Sequence, residues 1–144
     1  MNFSWEYGSS FGASAELQTM INGWYSKGTQ VVFVCGGAMC QSVFAAASAN
    51  EGAVIGVDID QSDESDTVIT SATKGIRESV EYVLEKVYSD SWDDIGGVLT
   101  TLGAKDDAVS LPTDTWKMEN FTVEEYEELF DKMKNGEIEV DRDY

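Results

Sequence analysis

Hydrophobic residues along the chain alternate between short continuous apolar runs and segments with helical spacing. The continuous runs at 30–35, 53–57 and 67–70 are rich in β-branched residues, and their length predicts strands. Apolar residues recur every three or four positions at 13–26, and residues 40–47 are small and alanine-rich, so both segments are predicted to be helices. This alternation is typical of a mostly parallel sheet with helices packed against it.

The rest of the chain continues the same pattern. Residues 73–88 have apolar side chains on one helical face. Thr122 and Glu125 form a capping box that predicts a last helix at 122–134, and Gly136 suits the end of that helix. Further short strands are predicted at 2–7, 96–103 and 108–111. We therefore predict an α/β fold, a three-layer sandwich around a mostly parallel sheet.

Composition excludes several classes of function. Nine basic residues against 27 acidic ones give a net charge of −18, so no basic face is available to bind nucleic acid. The chain has no histidine, which removes the usual activation of serine and cysteine nucleophiles and makes a zinc site unexpected. We expect no metal and no cofactor. Cys35 and Cys40 are interpreted as two buried small residues, with a disulfide as the alternative.

Residues that follow predicted strands are candidates for ligand contact, because ligands of open α/β sheets bind outside the carboxyl ends of the strands. Gly36 and Gly37 follow the first apolar run, where bare backbone can approach a ligand; a tight turn is the alternative. Asp58 directly follows the second run, and a carboxylate there can accept hydrogen bonds from sugar hydroxyls. Asp60 is better interpreted as a solvated loop acid.

Two further side chains are candidates with open alternatives. Lys74 lies in the first turn of the predicted helix 73–88, where a positive charge opposes the helix dipole. It is either paired with a carboxylate such as Asp58, donating to a ligand, or an exposed surface lysine. Phe11 can stack on a flat ligand or cover the end of the sheet as a core residue. No acid–base pair for catalysis is evident among these residues.

Taken in order, the motifs of this chain resemble those of the basic membrane protein family, the purine nucleoside receptor A-like binding proteins of ABC transporters. The matching stretches are YGSSF at 7–11, KGTQVVFVCGG at 27–37, VFAAA at 43–47, VIGVDIDQ at 54–61, VITSATK at 68–74, GVLTTLGAKD at 97–106 and NGEIEV at 135–140. The run from Val54 to Lys74 is the most specific, and the matches extend over nearly the whole chain.

The resemblance implies roles for the candidate residues in a cleft between two α/β lobes. It implies that Asp58 and Lys74 hold the hydroxyls of a ribose. Gly36 and Gly37 would line the cleft with backbone, and Phe11 would lie near the base. The fold implied is of the type I periplasmic-binding-protein-like class, and the protein implied is a binding protein without enzymatic activity.

The resemblance also implies a longer parent protein. The N-terminal lobe of the family, with its lipid-anchored cysteine, has no counterpart in residues 1–144, which correspond to the C-terminal lobe. Residues 1–6 show neither the basic nor the apolar region of an export signal. We expect the full-length parent to be an extracytoplasmic, membrane-anchored lipoprotein that delivers its ligand to an ABC permease.

Two expectations depend on this half-length. Half of a cleft should bind a nucleoside weakly or not at all. The apolar face of helix 73–88 should pack against the absent lobe, or be covered by a second copy in a homodimer.

Two other functions stay open: a ligand-sensing regulatory domain of a larger signalling protein, and, less favoured, an enzyme acting on nucleosides.

Overall fold

The computed structural model describes residues 2–8 and 10–140. Its α-helices and strands are, in chain order, α1 Ala15–Ser26, β1 Val31–Phe33, α2 Cys40–Asn50, β2 Ala53–Asp58, β3 Val68–Lys74, α3 Ile76–Tyr88, β4 Val109–Ser110 and α4 Val123–Lys134. The strands form one sheet in the order β1-β2-β3-β4, in which the first three are parallel and β4 is antiparallel. The predicted α/β class with a mostly parallel sheet is confirmed.

The core lies between the sheet and the helices α1 and α2. Ile21 of α1, Val43 of α2, Val54 of β2 and Val68 of β3 are nearly or fully buried in it. The small residues of α2 allow the helix to pack closely, as the alanine-rich sequence predicted. On β1, Val32 and Val34 face this core, whereas Val31 and Phe33 on the other side of the strand stay exposed.

Tyr25 connects the end of α1 to the start of β2. Its hydroxyl donates a hydrogen bond of 2.8 Å to the carbonyl oxygen of Ala53. Burial raises the pKa of Tyr25 to about 12, so the hydroxyl keeps the proton that it donates. The ring lies so close to Gly52 that a Cβ atom at this position would overlap it. The junction between α2 and β2 therefore requires a residue without a side chain.

Two predicted strands do not form, and one predicted helix is shorter. Residues 2–7 and 96–103 contain no strand, because neither segment finds a neighbouring strand to supply its hydrogen bonds. The predicted helix 73–88 begins only at Ile76, since β3 continues through Lys74 and pairs there with β4. The interpretation of Lys74 as a residue of the first helical turn is therefore wrong.

The last helix begins and ends as predicted. The hydroxyl of Thr122 accepts a hydrogen bond from the backbone of Glu125, and the carboxylate of Glu125 accepts one from the backbone of Thr122. The hydroxyl of Tyr126 accepts a hydrogen bond of 2.9 Å from the backbone of Leu111, so α4 is held against the segment that contains β4. The capping box is confirmed.

Helix α3 is amphipathic, but none of its residues is buried. Its apolar side chains Ile76, Val80, Val83, Leu84 and Val87 are each between 40% and 60% exposed. Together with Lys74, five residues of this helix line a shallow, mostly apolar concavity of about 480 Å³. The predicted apolar face is therefore present and uncovered. Among the described residues no helix is long and apolar enough to cross a membrane.

Candidate functional site

The carboxyl ends of β1, β2 and β3 lie at the same edge of the sheet, because these strands are parallel. Gly36 and Gly37 follow β1, Asp58 is the last residue of β2, and Lys74 is the last residue of β3. The register pairs Asp58 with Thr73, which directly precedes Lys74. The parallel topology thus gathers four of the five predicted site residues at one edge.

Asp58 and Lys74 form an ion pair. The ammonium nitrogen of Lys74 lies 2.7 Å from a carboxylate oxygen of Asp58. The hydrogen bond that Lys74 donates to Asp58, and then the negative charge of Asp58, raise the pKa of Lys74 above its ordinary value. The side chain of Lys74 is 60% exposed and that of Asp58 is 43% exposed. The pair therefore adds little to stability but stays accessible to a ligand. The pairing that the sequence left open is confirmed, while the ligand role stays a prediction.

Asp58 adopts a backbone conformation that non-glycine residues rarely adopt. Its φ is +71°, and the backbone N–H of Ile59 donates a hydrogen bond of 2.9 Å to the carbonyl of Val57. A three-residue turn with a positive central φ is rare and strained, although aspartate tolerates this region better than most residues. Strain of this kind tends to occur at functional sites.

Phe11 and the glycine pair lie together beside this edge. A Cβ atom at Gly37 would be 3.8 Å from the Phe11 side chain, so the aromatic residue lies next to the bare backbone. Gly37 itself has a φ of +57°, which favours glycine. The Phe11 side chain is 79% exposed, so its interpretation as a core residue is wrong, because nothing among the described residues covers it.

The two cysteines have different environments. Cys40 begins α2 and is buried in the core, as expected. Cys35 is exposed, so the prediction of two buried cysteines is wrong for this residue: it follows β1 on the open side of the sheet. Both thiols are free.

Asp60 is more than a solvated loop acid. One carboxylate oxygen accepts a hydrogen bond of 3.0 Å from the backbone of Ser62, and the other accepts one of 2.7 Å from the hydroxyl of Thr115. Partial burial would raise the pKa of Asp60, but these hydrogen bonds lower it below its ordinary value. Asp60 therefore ties the loop after β2 to a distant segment. In the described part of the chain, no group of three or more acidic or cysteine residues could hold a metal ion.

Gln61 was not among the predicted site residues. It follows Asp60 in the loop after Asp58, is 7% exposed, and hydrogen-bonds both neighbouring strands. The sequence does contain a signal for a group packed against β2, since a glycine in the middle of an apolar strand often marks the close approach of another group. Gly56 in β2 is such a glycine, and the Gln61 side chain packs against it.

The sequence matches the family model described as ABC transporter substrate-binding protein PnrA-like over residues 4–143. The chain therefore belongs to this family, as its motifs indicated, and the family consists of binding proteins rather than enzymes. No match was found among curated proteins.

Solved structures share the fold at low sequence identity. The chain is similar to an ABC transporter solute-binding protein from Aeropyrum pernix K1, with a TM-score of 0.68, 21% identity, and coverage of 97% of this chain and 48% of that one. It is also similar to a transcriptional activator of the comK gene from Bacillus halodurans, with a TM-score of 0.66, 16% identity, and coverage of 94% and 46%, respectively. The chain thus spans about half the length of these structures, and at such identities the likeness shows the fold alone.

Proposed function

We propose that this chain is the C-terminal lobe of an extracytoplasmic solute-binding protein of an ABC transporter, and that it carries half of a nucleoside-binding cleft. Family membership supports the binding role. The observation that carries the ligand class is the Asp58–Lys74 pair at the carboxyl ends of the strands. A carboxylate that only accepts and an ammonium that only donates, held 2.7 Å apart, suit two adjacent hydroxyls such as those of a ribose.

The neighbouring groups suit the rest of a nucleoside. Gly37 presents backbone without a side chain, which allows a ligand to approach closely. The exposed ring of Phe11 lies next to it and offers a flat apolar surface on which a base can stack. In this proposal the ribose binds Asp58 and Lys74, and the base extends toward Phe11.

The exposure of Asp58 and Lys74 indicates that a second half of the cleft is needed to bury the ligand. Binding pockets bury about 70–90% of a small ligand, whereas Asp58 and Lys74 are roughly half exposed. In the parent protein we infer a second lobe that closes over the ligand. We also infer a lipid anchor and delivery of the nucleoside to an ABC permease. The lobe described here should bind nucleosides only in the millimolar range.

A titration of the chain with nucleosides, followed by two-dimensional NMR, tests the proposal at such weak affinity. Inosine, adenosine and guanosine should shift the amide signals around Gly37, Asp58 and Lys74. The matched control is 2′,3′-dideoxyinosine, which has the same base but lacks the diol, and it should shift signals near Phe11 only. Equal responses to inosine and its dideoxy analogue, or an absence of shifts at Asp58, would count against the proposal.

The apolar face of α3 is proposed to pack against the second lobe of the parent protein. For the lobe alone we expect a homodimer through the same face at high protein concentration. Because the chain carries a net charge of −18, repulsion should oppose this association at low salt and weaken when salt is added. Sedimentation at 20 mM and 500 mM NaCl measures the effect, and the mass of the sedimenting species should increase with salt.

A matched pair of substitutions assigns that association to the α3 face. Leu84→Glu adds a charge to the exposed apolar face and should keep the chain monomeric at both salt concentrations. Tyr82→Glu adds the same charge on the other side of the helix and should leave the association unchanged. Association that survives Leu84→Glu would place the contact elsewhere on the molecule.

Regulation is the second candidate function. The same fold occurs in the protein described as a transcriptional activator of the comK gene, so the fold does not separate transport from ligand sensing. The sequence upstream of residue 1 in the parent gene does separate them. A lipoprotein signal there supports transport, and a kinase or DNA-binding segment supports regulation.

A further inference from the structure

Gln61 is a buried amide that connects β2 and β3 immediately beside the Asp58 turn. Its side-chain oxygen accepts a hydrogen bond of 3.0 Å from the backbone N–H of Val57, the residue before Asp58. Its own backbone N–H donates a hydrogen bond of 3.1 Å to the hydroxyl of Ser71 in β3. One residue thus fixes the loop to the strand that ends in Asp58 and to the strand that ends in Lys74.

The orientation of the Gln61 amide is determined by its partners. The amide nitrogen donates a hydrogen bond of 3.1 Å to one carboxylate oxygen of Glu64. The other oxygen of Glu64 accepts a hydrogen bond of 2.6 Å from the side chain of Gln41 in α2. Because a carboxylate can only accept, the nitrogen of Gln61 must face Glu64 and the oxygen must face Val57.

The sheet makes room for this amide at Gly56. A Cβ atom there would lie 2.7 Å from the side-chain oxygen of Gln61 and 2.7 Å from the hydroxyl of Ser71. A glycine in the middle of a strand weakens it, so its presence is explained by the group that packs against it. The contact between Gln61 and β2 therefore depends on the absence of a side chain at Gly56.

Val57 is the point at which this contact reaches the candidate site. Its N–H is held by Gln61, and its carbonyl accepts the hydrogen bond from Ile59 that closes the turn around Asp58. The φ of Asp58 in this turn is +71°. A strained conformation persists only where surrounding contacts hold it, and these two hydrogen bonds hold both sides of Val57.

We propose that Gln61 is a positioning residue whose amide holds the turn that places the Asp58 carboxylate against Lys74. Its consequence for nucleoside binding rests on the function proposed above, but the positioning itself requires no ligand. If the amide is removed, the N–H of Val57 loses its buried partner and the turn can relax. The carboxylate then leaves Lys74, and a ligand that needs both groups together binds more weakly.

Gln61→Met tests the proposal, because methionine has a similar length and no hydrogen bonds to offer. The readout is the pKa of Lys74, measured by NMR of its side-chain signals in the ligand-free protein. This pKa is raised by Asp58 in the native chain, so Gln61→Met should lower it toward the ordinary value, as Asp58→Asn should. Gln41→Met is the matched control, since Gln41 bonds the same Glu64 but not Val57, and it should leave the pKa raised.

The outcomes separate positioning from mere stability. A lower melting temperature with an unchanged pKa of Lys74 would overturn the proposal. If Gln61→Met does not fold, Gln61→Asn keeps a polar side chain but is one carbon shorter, so its amide no longer reaches the N–H of Val57, and it should lower the pKa of Lys74 in the same direction. An unchanged pKa in folded Gln61→Asn would overturn the proposal equally.

Nucleoside titration distinguishes this inference from the proposed function. A lowered pKa of Lys74 in Gln61→Met, with no preference of the native chain for inosine over its dideoxy analogue, would support positioning and overturn the nucleoside cleft. A diol preference that Gln61→Met retains, with the pKa of Lys74 unchanged, would overturn positioning alone. If the positioning role of Gln61 and the nucleoside cleft are both correct, Gln61→Met should bind inosine at least about tenfold more weakly than the native chain.

Discussion

Replacing Asp58 by asparagine is expected to abolish the measurable response to inosine. Asparagine has nearly the same shape and tolerates the positive φ of this position, so the turn should survive. Asparagine lacks the charge that, in the proposed cleft, strengthens the hydrogen bonds to both ribose hydroxyls. Hydrogen bonds to a charged group contribute about 1.5–3 kcal/mol each, so we expect a loss of about 100-fold in affinity. From a millimolar starting point, such a loss places binding beyond detection.

The stability of the same variant should change little. The Asp58–Lys74 pair is largely exposed, and pairs of this kind contribute less than about 1 kcal/mol. Urea unfolding of Asp58→Asn and the native chain measures this directly. Asp60→Asn is the matched control for charge, because it removes an equal charge two residues away, and it should bind inosine within about twofold of the native chain. Equal losses in both variants would attribute binding to the charge of the loop rather than to Asp58.

Replacing Gly52 by alanine is expected to destabilise the fold by about 1–3 kcal/mol, the range for overpacking a well-packed core. The added methyl group would overlap the ring of Tyr25. The ring cannot move aside freely, because its hydroxyl is hydrogen-bonded to Ala53 and the side chain is buried. Relief of the overlap therefore costs either the hydrogen bond or the packing of α1 on the sheet.

Gly23→Ala provides the matched control for Gly52→Ala. Gly23 lies inside α1, and a Cβ atom there would meet nothing within 4 Å. Alanine in a helix interior is more favourable than glycine by about 0.5–1 kcal/mol, so this variant should be more stable than the native chain. Urea unfolding monitored by circular dichroism compares the three proteins. If both substitutions changed the free energy of unfolding in the same direction, the Tyr25 ring would not be what requires glycine at position 52.

Elements of the fold that depend on local sequence were predictable. The apolar runs that became β1, β2 and β3 and the periodic segments that became α1 and α4 carry their own signals. Elements that depend on a distant partner were not. Residues 96–103 have a strand-like composition, but they find no neighbouring strand among the described residues. Conversely, β3 extends to Lys74 because β4, more than thirty residues later, pairs with its end.

The residues of the candidate site also divide into those that local sequence predicts and those that depend on distant partners. Asp58 and the glycine pair were predicted because a strand end is visible in the sequence and parallel strands end at one edge. Lys74 was selected for an unfavourable helical position that it does not occupy, yet its pairing with Asp58 is confirmed. Gln61 was missed because its partners Val57 and Ser71 become neighbours only through the register of β2 and β3.

The exposure of helix α3 has a consequence for how the chain would recognise a partner. An isolated helix of its length, 13 residues, is marginal in water, and this one gains little stability from burial because none of its residues is fully buried. Docking of its apolar face would therefore bury that face and stabilise the helix in a single step. The conformational entropy that the exposed side chains lose on docking would be subtracted from the interaction, which gives a contact that is specific but readily reversed. A surface with these properties would suit the repeated opening and closing that we infer for the parent protein.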